Sequence, residues 1–98
     1  MVQGCCVAIT DGHTIKVLTA SQQFIKFRLA FIDCPEMHQP FGYRAKQAMS
    51  SLLFGRQVEL NPYGVDRYGR LVAMVYVEDT DAGLEMLKAG MACPITAI

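Results

Sequence analysis

The 98 residues are 52% hydrophobic and 18% charged, one domain's worth of chain with enough apolar surface to offset the entropy of folding, which excludes a disordered polypeptide. Nine basic residues balance nine acidic ones, which excludes gripping nucleic acid by bulk positive charge but leaves room for a few arginines gathered in one cleft. The uncharged opening from Met1 to Thr10 is too short to cross a membrane and lacks the basic head of a signal peptide, so the sequence as it stands reads as cytoplasmic, or as secreted had a signal been removed.

Val2 to Ile9 is rich in strand formers, and the Asp11-Gly12 pair that follows is a hairpin-turn signal. Thr14 to Leu18 alternates, with Ile15 and Val17 on one face; after the polar turn Ser21-Gln22-Gln23, Phe24 to Ile32 reads as a third strand. A loop with two prolines, Asp33 to Pro40, leads into a helix on which Ala45, Ala48, Met49, Leu52 and Leu53 form one apolar stripe, with Gly55 as its stop. Gln57 to Leu60 and Leu71 to Val77 are two more strands, separated by a polar loop from Asn61 to Arg70. Thr80 or Asp81 caps a short helix from about Ala82 to Ala89, which Gly90 ends. The order β-β-β-α-β-β-α predicts a mainly β (α+β) fold. Its layout is a five-stranded Greek-key barrel of the OB type, one helix across the barrel and a short C-terminal helix, in a single domain over residues 1–98. The four cysteines, Cys5, Cys6, Cys34 and Cys93, form no CxxC pair and read as reduced thiols behaving as small hydrophobes.

Polar residues gather at the ends of these elements: Asp11-Gly12-His13-Thr14, then Arg28, Asp33-Cys34-Pro35-Glu36, Tyr63, and Asp66-Arg67-Tyr68-Gly69-Arg70. Each alone has an ordinary explanation as a turn or a solvated charge. Together they place two arginines and several acids around one cleft, which is what phosphodiester hydrolysis requires. Carboxylates hold a divalent cation that polarises the phosphate and a water, and another carboxylate orients or deprotonates that water. Arginines bind the phosphate oxygens as forks and stabilise the charge of the transition state. Tyr63 and Tyr68, with Phe41 and Tyr43 at the opening of the helix, are candidates for base stacking and equally for packing.

Four runs carry a resemblance that extends over nearly the whole chain: Asp11 to Val17, Phe27 to Glu36, Pro40-Phe41-Gly42, and Asp66 to Ala73. With these, in this order and spacing, the sequence resembles the staphylococcal nuclease (thermonuclease-like) family, OB-fold phosphodiesterases that cleave DNA and RNA with calcium. The resemblance implies that Arg28 and Arg70 contact the scissile phosphate and that Glu36 orients the attacking water or acts as general base. It implies Asp33 as a metal ligand with the Cys34 backbone carbonyl, and Asp11 and Thr14 as supports behind the ligands. Single-stranded DNA or RNA is then the substrate.

The family's first motif is usually Asp-Gly-Asp-Thr, with the second Asp on the metal; here His13 stands in that place. Calcium wants oxygen ligands, so imidazole is a poor replacement. His13 with Asp33 suits a softer ion, manganese or zinc. The same substitution supports the alternative of a catalytically impaired OB-fold module that binds nucleic acid, nucleotide or a protein partner. The sequence also stops without the family's usual C-terminal helix and its aromatics. The apolar surface this exposes predicts a homodimer, formed in one version by exchange of a strand or helix.

Overall fold

The computed structural model describes residues 2–34, 39 and 41–94. Its scaffold is a five-stranded barrel. The first strand, β1 (Val2–Asp11), is long enough to pair on both edges: with β2 (Thr14–Thr19) through Cys6↔Val17 and Ile9↔Ile15, and with β5 (Gln57–Val65) through Gly4↔Val58. Register shifts at Cys6/Ala8 and Ile9/Asp11 bend it, as bulges do, so that one strand serves two neighbours. Gly4 lets β1 approach, because a Cβ there would lie 2.5 Å from Val17 Cγ1 and 2.6 Å from the Leu18 carbonyl oxygen.

Closure comes from β3 (Phe24–Leu29), which pairs antiparallel with β2 and parallel with β6 (Leu71–Val77) through Phe27↔Leu71, Arg28↔Val72 and Leu29↔Ala73. Strand β6 also pairs antiparallel with β5, giving the order β3-β2-β1-β5-β6 with β3 meeting β6 again. The predicted OB-type barrel is therefore present. Its interior is filled by the residues whose period of two marked them, Ile15, Val17, Phe27, Leu29, Val58, Leu60 and Val75, each at most 2% exposed. Helix α1 (Gly42–Leu53) closes one end with Ala45, Met49 and Leu53, all fully buried. A two-residue strand β7 (Thr80–Asp81) pairs with β6 and leads into α2 (Ala82–Lys88), whose first turn is capped by Asp81 accepting from the Leu84 N–H at 3.1 Å.

Two predicted boundaries are corrected. The third strand does not run on to Ile32. The chain turns at Ala30–Phe31, with Phe31 in the left-handed region at φ 66°, and Ile32–Asp33 forms a separate strand, β4, paired with β8 (Cys93–Pro94). The apolar alternation passes straight through because Ala30 and Ile32 are buried on either side of the turn. Likewise the polar segment after Leu60 is not a loop until residue 66. Strand β5 continues to Val65 because β6 pairs with it throughout, with a register shift between Pro62 and Gly64 that absorbs the missing proline N–H. The four cysteines are free thiols, as expected. No helix among the described residues is long and apolar enough to cross a membrane.

Candidate active site

The turn between β1 and β2, the β3–β4 corner and the β5–β6 turn meet at one side of the barrel. They enclose an open cleft of about 740 Å³ lined by Asp11, His13, Arg28, Asp33, Cys34, Tyr68 and Arg70, with Gln39 and Cys93. Residues drawn from 11 to 93 in the chain thus converge on one space.

Arg28 is built into the wall. Its position opposite Thr14 in the β2–β3 ladder and Val72 in the parallel pair leaves it 9% exposed. The turn at Phe31 folds two carbonyls back onto its guanidinium, which donates to the Leu29 oxygen at 3.0 Å and the Ile32 oxygen at 3.1 Å. That turn is held in its strained conformation with the Phe31 ring edge-on to Tyr63, centroids 5.0 Å apart. Asp33 is 3.9 Å from the Arg28 guanidinium and its side chain is 61% exposed, so it pairs only loosely and faces water.

Arg70 is held differently. Asp66 Oδ1 accepts from the backbone N–H groups of Tyr68 and Arg70, both at 2.9 Å, closing the turn, while Oδ2 accepts from Arg70 Nε at 2.8 Å. Desolvation raises the Asp66 pKa, but the two backbone donors and the Arg70 guanidinium outweigh it, and the carboxyl sits below its usual range. The Tyr68 ring is flanked by cations, with the Arg67 and Arg70 guanidinium carbons 5.5 and 5.4 Å from its centroid.

In the β1–β2 turn, Asp11 Oδ1 accepts from the His13 backbone N–H at 3.0 Å. The His13 ring is largely withdrawn from water. Desolvation lowers its pKa, with Arg28 and Arg70 acting the same way against Asp11 and Asp33, so the imidazole is neutral near pH 7. Its Nδ1 lies 3.3 Å from Asp11 Oδ1 without hydrogen-bond alignment and has no hydrogen-bond partner among the described residues. Thr14, 3% exposed, lies behind the cleft, and its hydroxyl is likewise without a hydrogen-bond partner among the described residues. The Cys34 thiol donates to the Gly12 carbonyl at 3.1 Å, and burial, with Asp11 and Asp33 nearby, pushes its pKa up to about 12. It is therefore a protonated clasp and not a thiolate.

Of the residues singled out from sequence, Arg28, Asp33, His13, Cys34, Asp11, Arg70 and Tyr68 come together. Tyr63 does not line the cleft; its ring packs on Phe31. Glu36 lies outside the described residues. Three contributions were missed. Cys93 and Gln39 reach the cleft, Cys93 through the β4–β8 pairing, for which the sequence carries no local signal. The third is Asp66 as the holder of Arg70, which was legible as an Asp four residues before an Arg around a glycine turn.

The resemblance implies a divalent cation at this site. No group of three His, Cys, Asp or Glu side chains among the described residues is arranged to hold a metal. The chemistry of the set is nonetheless that of a sparsely ligated ion: one water-facing carboxylate, Asp33, and one buried neutral imidazole with an unpartnered nitrogen, His13. Two such groups do not make the closed cage of six to eight oxygens that calcium takes, and an ion held by them would be completed by water and a substrate phosphate.

A family model described as Staphylococcal nuclease homologue matches residues 26–98. An "Uncharacterized endonuclease" of Haemophilus influenzae is 45% identical over 86 residues, covering 88% of this chain and 48% of that protein. A "Micrococcal nuclease" of Shigella flexneri is 47% identical over 99 residues, covering 92% and 56%. An "Uncharacterized endonuclease" of Escherichia coli O157:H7 is 36% identical over 92 residues, covering 93% and 60%. The chain spans about half the length of the curated relatives it matches.

Proposed function

Since the chain belongs to the staphylococcal nuclease homologue family, we propose that it is a metal-dependent nuclease hydrolysing phosphodiester bonds of single-stranded DNA or RNA. The observation that carries this reading is the convergence of Arg28 and Arg70 with Asp33 in one open cleft, each arginine held by its own hydrogen bonds. Two anchored guanidinium groups bind a phosphodiester at fixed oxygens and are pre-set for the extra charge of its five-coordinate transition state. Names borne by the relatives, endonuclease and micrococcal nuclease, support the same reading.

Asp33 and His13, with the Cys34 carbonyl, would hold the cation, which supplies a charge that polarises the phosphate; manganese or zinc suits this set better than calcium. Asp11 holds the turn that carries His13, and Thr14 packs behind it. Glu36 has the role of orienting, or deprotonating, the water that attacks phosphorus in line with the leaving sugar oxygen. Tyr68 closes the rim beside Arg70, where a base can stack. The homodimer is part of the same proposal. It draws on the groove between α1 and α2, lined by Ala48, Leu52, Met86 and Ala89 and edged by Ser51, Glu85 and Lys88, and light scattering at micromolar concentration tests it.

A second reading, an OB-fold module that binds nucleic acid without turnover, is favoured by one observation: no three ligating groups cluster among the described residues. The deciding experiment is digestion of single-stranded DNA by the purified chain with calcium, manganese, zinc or chelator, beside Arg70→Ala and His13→Asp. Metal-dependent cleavage that falls about 10²–10³-fold in Arg70→Ala is expected of a lost transition-state donor. Cleavage equal in Arg70→Ala overturns the site. Cleavage by His13→Asp alone identifies the second reading.

A further inference from the structure

Two exposed aromatic side chains outside the cleft have no part in the chemistry above. Phe41 is 54% and Tyr43 58% exposed, although burying rings of this size is among the larger gains open to a small domain. They stand where the cleft wall runs into α1. The Gly42 N–H donates to the carbonyl of Gln39, a cleft residue, at 3.0 Å. One turn on, Ala45 packs so tightly on the β1–β2 turn that a Cβ on Gly12 would come within 2.7 Å of it. The start of α1 is therefore fixed against the turn that carries Asp11 and His13.

The patch also carries charge. The Arg44 guanidinium carbon lies 5.6 Å from the Phe41 ring centroid, and no acidic residue stands in the first turn of α1 to offset it. The same pairing of an exposed ring with a guanidinium over its face recurs on the cleft rim at Tyr68, with Arg67 and Arg70. A ring face for an unpaired base, with a fork of N–H donors for its phosphate, is the combination by which single strands are held without regard to sequence. Rings with an arginine would serve a protein partner as well; what favours a nucleic acid strand is that the patch adjoins the cleft that holds Arg28 and Arg70.

Resting on the nuclease reading, we infer that Phe41 and Arg44 form a binding platform for an unstacked nucleotide of the substrate strand, next to those in the cleft, with a base on the Phe41 ring and a phosphate on Arg44. The platform lengthens the strand the protein grips and takes no part in bond cleavage.

The test uses fluorescein-labelled oligothymidylates of two and eight nucleotides, read by anisotropy in chelator and by steady-state hydrolysis in the supporting metal. The variants are Phe41→Ala, Phe41→Leu, Phe41→Tyr and Arg44→Gln, with Phe24→Ala as control, since Phe24 is 65% exposed on β3. Phe41→Ala and Phe41→Leu are expected to weaken octamer binding about fivefold or more and to raise KM more than they change kcat. The loss for the dinucleotide should be smaller. Phe41→Tyr restores binding, Phe24→Ala binds as the parent does, and Arg44→Gln lowers the slope of log affinity against log salt by about 0.7. Octamer affinity within twofold of the parent in Phe41→Ala and Arg44→Gln overturns the platform and leaves the nuclease reading standing. A parent that binds the octamer but cuts nothing overturns the nuclease reading alone, and the anisotropy series still decides the platform. A parent that neither binds nor cuts overturns both.

Discussion

Asp66 holds Arg70 at two points, accepting its backbone N–H at 2.9 Å and its Nε–H at 2.8 Å. One carboxylate thus shapes the β5–β6 turn and aims the guanidinium that the turn carries.

Replacing Asp66 separates these two roles. Asp66→Asn keeps an acceptor for the turn but removes the charge from the bond to Nε, so the contact that aims the guanidinium is no longer charge-assisted. On the proposed mechanism, steady-state hydrolysis should fall roughly tenfold or more, chiefly in kcat, with circular dichroism unchanged. Full activity in Asp66→Asn would show that Arg70 needs no such support.

Stability should depend on pH in two windows. The His13 pKa is lowered from its ordinary 6.5 by desolvation, so the unfolded chain takes up the proton more readily and stability falls as pH drops below about 6.5. Asp66, lowered from 3.8 in the net, contributes stability that is present above its ordinary value and lost as pH falls through its depressed one. Urea denaturation at pH 7.5 and 5.5 checks the first window, and the difference between the two should shrink in His13→Gln.

The β1–β2 turn has no room to spare. A Cβ at Gly12 would meet Ala45 Cβ at 2.7 Å and both Cβ and Sγ of Cys34 at 3.1 Å, while the Cys34 thiol is bound to the Gly12 carbonyl. Gly12→Ala should therefore destabilise by about 1–3 kcal/mol, the range for overpacking a tight interior. It should also displace the turn that carries Asp11 and His13. A melting temperature equal to the parent's would show that α1 yields easily.

His13→Asp tests the cation directly. A second carboxylate beside Asp33 suits a hard ion, so calcium should bind more tightly by isothermal titration calorimetry. An unchanged titration would place His13 away from the metal.

The barrel was readable because its strands are amphipathic or bounded by turn residues. Ile15 and Val17 alternate with Lys16, Asp11-Gly12 marks a hairpin, and the Ala45–Met49–Leu53 stripe marks α1. The break at Phe31 was not readable. A bulky residue in the left-handed region goes against local preference, and it is held there by what surrounds it, Ala30 bonded to Ala73 and the ring set on Tyr63. The extension of β5 was hidden for a related reason: Asn61, Pro62 and Gly64 are poor strand formers that pairing with β6 overrides.

The types of the cleft residues and their order along the chain were determined by sequence alone, as was a histidine, His13, where the motif it resembles usually has an aspartate. Only the tertiary structure decided which of them meet. Arg28 becomes a fixed donor because the parallel pairing of β3 with β6 buries it and the Phe31 turn returns two carbonyls to it. Cys93 reaches the cleft, and Tyr63 leaves it, through contacts between residues roughly 30 to 60 positions apart. Local pattern records which face of a strand is apolar. It does not record which distant strand end will lie beside it, because that is set by closure of the barrel as a whole.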